Sequence, residues 1–348
     1  MTAAGFAEFL EQSEEERAAV FETAAANLGT TGPFIEKDFW VCLVIDLLFK
    51  RLPAGHPEMC FKGGTSLSKV HHLIRRFSED IDVTLDPAPL GFDGDRALNQ
   101  QGLSNSRREQ LRQELHAALI GYANERLIPD LSALAAPFSA EIQLEVPGED
   151  DVNLIVLYPV LIDEGSPEYV PKRVMIELGA RTAREPSAPC RLVPYIAELG
   201  LDFDVGVASI PTIDAERTFW EKVLILHGRR SGFDGEERIP ADRHKVSRHY
   251  YDVAQIADTE VADRALANLD LLDRARQQEQ LLFRAAWKKI EEAKPGSFRI
   301  LPIKELRTAV ERDYAQMQGM VLGEAPEFAA VVDSLERLEE RLNTLPPG

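Results

Sequence analysis

An α+β fold followed by a helical C-terminal part is what the sequence predicts, on three observations. Segments with strand character are concentrated between residues 59 and 210, where Glu141, Gln143 and Glu145 alternate with Ile142, Leu144 and Val146 as on a half-buried strand. From Asp214 almost to the end, apolar residues recur at the helical period instead. At 348 residues the chain has length for roughly two domains of ~150 residues, which we place at residues 1–211 and 212–348. Runs of strands followed by runs of helices belong to α+β architecture rather than to alternating βαβ units.

Each element follows from its own pattern. Ser13 and Glu16 have capping-box spacing and open a helix whose apolar stripe runs through Val20 and Phe21 towards Leu28. Thr30-Thr31-Gly32-Pro33 interrupts it, and a second helix is predicted over 35–50. Met59-Cys60-Phe61 is a short apolar strand running into Lys62-Gly63-Gly64-Thr65-Ser66-Leu67 and a brief helix. Phe77–Val83 alternates as a strand, and residues 104–127 read as a helix. Leu154–Val160, Arg173–Leu178 and Val207–Ile210 are further strands. Helices are expected at 214–230, 242–258, 260–293 in one or two pieces, 303–319 and 325–343, with loops near 86–95, 186–193 and 231–241.

Charge narrows the function. Lys plus Arg number 39 against 58 Asp plus Glu, a formal charge of −19. So acidic a surface repels phosphate over most of its area, so a nucleotide or nucleic-acid site must be a local basic pocket or use bound metal. Cys42, Cys60 and Cys190 are too widely spaced for a disulfide framework or a zinc pattern, which fits a reducing cytoplasm. The N-terminus has no basic segment leading into an apolar core. The apolar stretches Phe39–Phe49 and Leu154–Ile162 fall short of the ~20 residues that span a bilayer. A soluble cytoplasmic protein with no membrane partner is expected.

The chemistry concentrates between Phe61 and Asp82. Gly63, Gly64, Thr65 and Ser66 stand between a strand and a helix, where glycine permits close backbone approach and the amides can cradle phosphate. Sixteen residues after Gly64 comes Asp80, then Asp82, and positions i and i+2 of a strand face the same way. Two carboxylates so close call for a neutralising cation. Hard oxygen donors favour Mg²⁺ or Mn²⁺, which keep one or two protein carboxylates and take further oxygens from substrate phosphates. A phosphate cradle beside a metal-binding carboxylate pair suits nucleotidyl or phosphoryl transfer.

The joint pattern Gly-Gly-Thr-Ser-Leu…Arg-Phe-Ser-Glu-Asp-Ile-Asp resembles the AbiEii-type nucleotidyltransferase family, toxins of type IV toxin–antitoxin and phage-defence systems that include the MenT toxins. Ile35–Val41, Glu216–Lys222 and Arg248–Val253 resemble three more of its islands, so the likeness spans roughly residues 34–258. The resemblance implies a polymerase-β-like domain with a mixed sheet. It implies that Asp80 and Asp82 hold metal and that Gly63, Gly64, Thr65 and Ser66 contact the nucleotide phosphates. Lys222 would touch those phosphates, and Asp252 would position Lys222 or the incoming hydroxyl. A third carboxylate on a neighbouring strand is common in such sites. Glu177, an acid in the apolar run Val174–Leu178, takes that place or forms a salt bridge with Arg173 or Arg181.

Two basic runs stand against the acidic background. Leu67–Arg76 carries Lys69, Arg75 and Arg76, and the run 243–249 carries Arg243, Lys245 and Arg248 with two histidines. Either is a solvated face, and the second could also rim the nucleotide site through Arg243 and Arg248. Ser78 is a hydrogen-bonding loop residue or a target for inactivating phosphorylation. The resemblance implies a Mg²⁺-dependent transfer of NMP from an NTP to an acceptor hydroxyl, the 3′ end of tRNA by likeness to the MenT toxins, and a separately encoded antitoxin. The alternative is an NTP-binding protein of such a system that acts on a protein or small-molecule acceptor, or without catalysis.

Overall fold

The strand-rich half of the chain builds one mixed sheet, seen in a computed structural model that describes residues 3–148, 151–163, 171–180, 184–236 and 245–346. Its strands are β1 (Met59–Lys62), β2 (Asp80–Leu85), β3 (Gln143–Glu145), β4 (Leu154–Leu157), β5 (Val174–Gly179), β6 (Ser187–Leu192) and β7 (Val207–Ile213). They lie in the order β3-β4-β5-β2-β1-β7-β6. β2 and β5 are parallel, as are β1 and β7, and the remaining pairs are antiparallel. The expected α+β class with a mixed sheet and a helical C-terminal part is the observed one. Two expectations need correction. The stretch near 186–193 is largely strand β6 rather than loop, because its residues pair along β7 despite Pro189. The loop expected from 231 is helical through Glu236, since Gly232 continues the preceding helix.

Among the described residues, six α-helices accompany the sheet: α1 (Ala3–Glu11), α2 (Glu14–Leu28), α3 (Gly32–Asp46), α4 (Gly63–Lys69), α5 (Asn105–Tyr122) and α6 (Ile128–Ala135). The Ser13 capping box forms, with the Ser13 hydroxyl accepting from the Glu16 N–H and the Glu16 carboxylate accepting from the Ser13 N–H. Where two helices are expected in the first fifty residues, the structure adds α1, whose Phe6 and Phe9 pack against Phe39.

Helix α3 is the hub of this unit. It is buried on nearly every side, as a helix apolar all round must be, and yet Glu36, Lys37 and Asp38 are among its buried residues. Burying charge is costly unless every charge is partnered, and here each is. The Glu36 carboxylate accepts from the N–H groups of Leu161 (2.7 Å) and Ile162 (2.9 Å). Lys37 pairs with Glu79 at 3.0 Å and donates to the Pro171 carbonyl at 2.7 Å. Asp38 pairs with Lys69 of α4 at 2.8 Å and accepts from the Tyr195 N–H at 2.6 Å. Three successive residues thus tie one helix to five other places in the chain, at Lys69, Glu79, Leu161–Ile162, Pro171 and Tyr195.

The second unit holds α7 (Ala215–Glu236), α8 (Ser247–Ala257), α9 (Glu260–Ala267), α10 (Leu269–Leu282), α11 (Lys304–Met317) and α12 (Phe328–Thr344). The helical stripe Phe328, Val331, Leu335, Leu338 and Leu342 is buried, as core spacing predicts. Asp313 of α11 serves as a tertiary cap for α8, accepting from the N–H groups of Lys245 (2.9 Å) and Ser247 (2.7 Å). The two compact units are Met1–His71 with Phe77–Ile213, and His72–Arg76 with Asp214–Gly348. The five residues 72–76 join the helical unit, where the Leu322 N–H donates to the Arg75 carbonyl at 2.7 Å and Arg76 bridges Val321.

Candidate active site

In the strand-bearing unit the carboxylates line up by register. Asp80 and Asp82 share a face of β2 because strand side chains alternate. β5 runs parallel beside it with Asp80 opposite Met175 and Asp82 opposite Glu177, so Glu177 joins the two aspartates on that face. Along β5, Val174, Ile176 and Leu178 are buried, leaving the Met175 and Glu177 face half-buried. Burial of the apolar set dictates the side to which the acid turns. β1 lies antiparallel on the other flank with Lys62 directly opposite Asp82, which puts a cation on the same face. Lys62 carries no signal of this place in the local sequence. Arg173 is exposed, and Arg181 lies outside the described residues.

The glycine pair performs a steric task. Gly63 has φ +78°, and a Cβ there would stand 1.9 Å from Asp82 Oδ2, so the carboxylate rests directly against glycine backbone. The two hydroxyls that follow are committed within the protein. Thr65 donates to the Asp80 carbonyl at 2.5 Å, and Ser66 to the Gly63 carbonyl at 2.9 Å. Both side chains are fully buried. The Thr65 hydroxyl thereby braces α4 against β2, and the Ser66 hydroxyl bonds back within the first turn of α4.

A divalent cation can be tested against these residues. Among the described residues, no three His, Cys, Asp or Glu side chains gather closely enough to hold an ion alone. Asp80, Asp82 and Glu177 are in register without forming a closed cage. This fits Mg²⁺, which binds through one or two carboxylates and completes its shell with water and substrate phosphate. It does not fit a metal that requires an all-protein shell.

In the helical unit the structure brings Lys222, Asp252 and Arg248 together and adds Arg76. Lys222 Nζ of α7 lies 2.8 Å from Asp252 Oδ2 of α8. Arg76 makes a two-pronged contact with the same carboxylate, Nε to Oδ1 at 2.7 Å and Nη2 to Oδ2 at 2.8 Å. Relative exposures are 6% for Lys222, 0% for Asp252 and 2% for Arg76. Burial acts to raise the Asp252 pKa, but Arg76 and Lys222 outweigh it and hold the carboxyl well below the usual carboxylate range. Burial pushes the Lys222 ammonium below its ordinary value; Asp252 opposes this, while Arg76 and Arg248 add to it. The neighbouring His249 is held neutral by burial and by Lys222 and Arg248. Among the described residues its Nδ1 has no hydrogen-bond partner.

The first basic run divides on inspection. Lys69 and Arg76 are buried in ion pairs, Lys69 with Asp38 and Arg76 with Asp252, and Arg75 is exposed. Only Arg75 among these cations keeps the solvated face expected of the run. Glu79, immediately before Asp80, is buried on Lys37, a tie with no signal in the local sequence. Ser78 is half-buried, and Arg243 lies outside the described residues.

The mixed sheet carries three carboxylates on one face, and the helical unit, described by itself, buries a lysine against an aspartate. The chain belongs to the family described as nucleotidyl transferase AbiEii toxin, type IV toxin–antitoxin system, which it matches over residues 46–339. Among solved structures it is similar to MenT4, a nucleotidyltransferase toxin from Mycobacterium tuberculosis H37Rv, at 14% identity and a TM-score of 0.44, covering 94% of this chain and 98% of that one. No curated protein matches by sequence. Among the described residues no helix is long and apolar enough to cross a membrane.

Proposed function

We propose that this member of the toxin family is a Mg²⁺-dependent nucleotidyltransferase that moves NMP from an NTP to an acceptor hydroxyl and releases pyrophosphate. The observation that carries the reading is the register that sets Glu177 beside Asp82 on the face shared with Asp80. Asp80 and Asp82 are the residues that hold the cation, with Glu177 as their neighbour on β5. When bound, a divalent cation supplies charge neutralisation between these carboxylates and the triphosphate and makes the attacking hydroxyl more acidic. Gly63 leaves room for the Asp82 carboxylate, and Gly64 lies next to it at the start of α4. Lys222, a compact ammonium, stabilises negative charge developing on the phosphates. Asp252 holds it in place, and Arg248, one turn before Asp252 on α8, adds a second cation.

The acceptor in this reading is the 3′ end of tRNA, whose modification blocks aminoacylation and growth. A separately encoded antitoxin restrains the enzyme, and both act in the cytoplasm. The test is incubation with each α-labelled NTP, Mg²⁺ and total cell RNA, comparing the wild type with Asp80→Ala. Label in tRNA-sized RNA with the wild type alone is expected, with at least ~10³-fold loss in the variant, the several kcal/mol that metal assistance supplies. Label in protein or small molecules instead would move the acceptor and leave the chemistry standing. Wild-type activity that survives Asp80→Ala or needs no divalent cation defeats the reading.

A further inference from the structure

We propose that Lys62 is a substrate-binding residue: its ammonium receives the triphosphate of the same NTP whose cation Asp82 receives. The proposal deepens the nucleotidyltransferase reading given above and rests on it. Lys62 closes β1 directly opposite Asp82 of β2. Residues so paired project from one face with Cβ atoms about 4.5–5.5 Å apart. Both are half-buried while their strand neighbours are buried, Met59, Cys60 and Phe61 before Lys62, and Ile81 and Val83 on either side of Asp82.

A lysine and an aspartate in that relation ordinarily join, and this unit pairs its charges readily. Lys37 is joined to Glu79 at 3.0 Å and Lys69 to Asp38 at 2.8 Å. At the other end of the same two strands, Arg184 holds Glu58, just before β1, at 2.9 Å and Asp86, just after β2, at 3.1 Å. Lys62 and Asp82 are the exception. Among the described residues neither side chain has a hydrogen bond or an ion pair. The cause is local. Gly63 at φ +78° lets Asp82 Oδ2 lie against its backbone, where a Cβ would stand 1.9 Å away. That seat holds the carboxylate on the glycine rather than on the ammonium beside it.

Two unpaired charges of opposite sign on one half-buried face suit a ligand that brings both signs. A triphosphate with a divalent cation is such a ligand. Its cation is drawn to Asp82, and its phosphate oxygens keep a net negative charge for Lys62. A lysine, as a compact point charge, binds phosphate without demanding one fixed plane. Towards a bare cation, however, Lys62 is a like charge and repels it. Lys62 therefore acts against metal alone and in favour of metal with triphosphate, so that the two are received together.

The experiment measures two affinities on the full chain: Mn²⁺ alone, and inorganic tripolyphosphate at saturating Mn²⁺. The KM for NTP is measured beside them. Wild type, Lys62→Met and Lys62→Arg are compared, with Asp82→Asn as reference. In Lys62→Met, tripolyphosphate is expected to bind ~10–100-fold more weakly, as when a charge-assisted hydrogen bond is lost, and KM rises by a similar factor. Mn²⁺ alone binds that variant at least as tightly as the wild type. Lys62→Arg keeps tripolyphosphate affinity within a few-fold, and Asp82→Asn loses both ligands. The opposite signs separate this role from a structural one, because a disturbed sheet weakens both ligands together. Unchanged tripolyphosphate affinity in Lys62→Met overturns the proposal, even if Mn²⁺ binds more tightly, since the lysine would then be only a counter-ion to Asp82. Loss of both ligands overturns it as well. Should Lys62→Met not fold, Lys62→Gln carries the same comparison. If the wild type binds neither Mn²⁺ nor its tripolyphosphate complex, the reading of the aspartate pair fails and the proposal falls with it. That failure shows in the wild type alone and so cannot be mistaken for an effect of Lys62.

Discussion

Lys69 in the strand-bearing unit and Lys222 in the helical unit are each buried against one aspartate at 2.8 Å, yet their surroundings drive them in opposite directions. Among the described residues Lys69 has Asp38 to itself among cations, and it lies 3.4 Å from the centre of the Tyr195 ring, a favourable cation–π seat. Burial acts against its charge, but Asp38 and its other neighbours outweigh this, and its pKa lies above the ordinary lysine value. Lys222 shares its aspartate with Arg76 and has Arg248 nearby, and its pKa lies below that value. Two added cations, Arg76 and Arg248, separate the closed ion pair that ties α3 to α4 from the open, shared pair at Lys222. The lesson is that a buried Lys–Asp distance says little until the other claims on the carboxylate are counted.

The largest expected effect that sharpens this contrast is on stability. Lys69→Met strands Asp38 as an uncompensated buried charge and is expected to cost ~3–5 kcal/mol, read as a lowered midpoint of chemical unfolding, with NTP affinity of the folded protein retained. Lys222→Met leaves Asp252 in the grip of Arg76, so its midpoint falls far less, while transfer drops by roughly 10²–10³-fold. If the two variants lose stability equally, the distinction between closed and open pairs collapses.

Gly63→Ala probes the carboxylate face by itself. The residue at φ +78° would pay roughly 1–2 kcal/mol of backbone strain, and its Cβ would displace the Asp82 carboxylate. Loss of at least ~10-fold in transfer, larger than that of an alanine placed at Gly64, is expected in a steady-state assay.

The smallest expected effect is in the pH dependence of stability, and there the two lysines have opposite signs. A raised folded-state pKa gives Lys69 a contribution that is complete below the unfolded value of ~10.4 and is lost as pH rises beyond it. A lowered folded-state pKa makes the unfolded chain bind the extra proton, so Lys222 adds stability as pH climbs towards ~10.4. Melting curves in alkaline buffers should show Lys69→Met removing a loss and Lys222→Met removing a gain. Asp252 contributes at the other end: its depressed pKa stabilises above the unfolded carboxylate value of ~3.9, and this is lost as pH falls through it and below. Asp252→Asn should flatten that acid limb.

Much of the fold was legible because it is written in short-range periodicity. The Ser13 capping box, the alternation around Gln143, and the stripe of α12 each depend on spacings of two to four residues, and each forms. The misreadings share one cause, tertiary context overriding a local breaker. Pro189 sits on an edge strand where its missing N–H does no harm, and Gly232 lies inside α7 under the Trp287 ring, where a Cβ would collide.

The sequence by itself determined the α+β order of elements and the common face of Asp80 and Asp82, since residues two apart on a strand must point together. With the family likeness it also singled out Lys222 and Asp252. Only the tertiary structure decided that Glu177 stands in register with Asp82, that Thr65 and Ser66 spend their hydroxyls on backbone, and that Arg76 shares Asp252 across 176 residues of chain. The physical reason is the same in each case. Which partner satisfies a buried charge or hydroxyl depends on which segments are packed together, and the cost of leaving such a group unpaired selects that partner without leaving any periodic mark in the neighbouring residues.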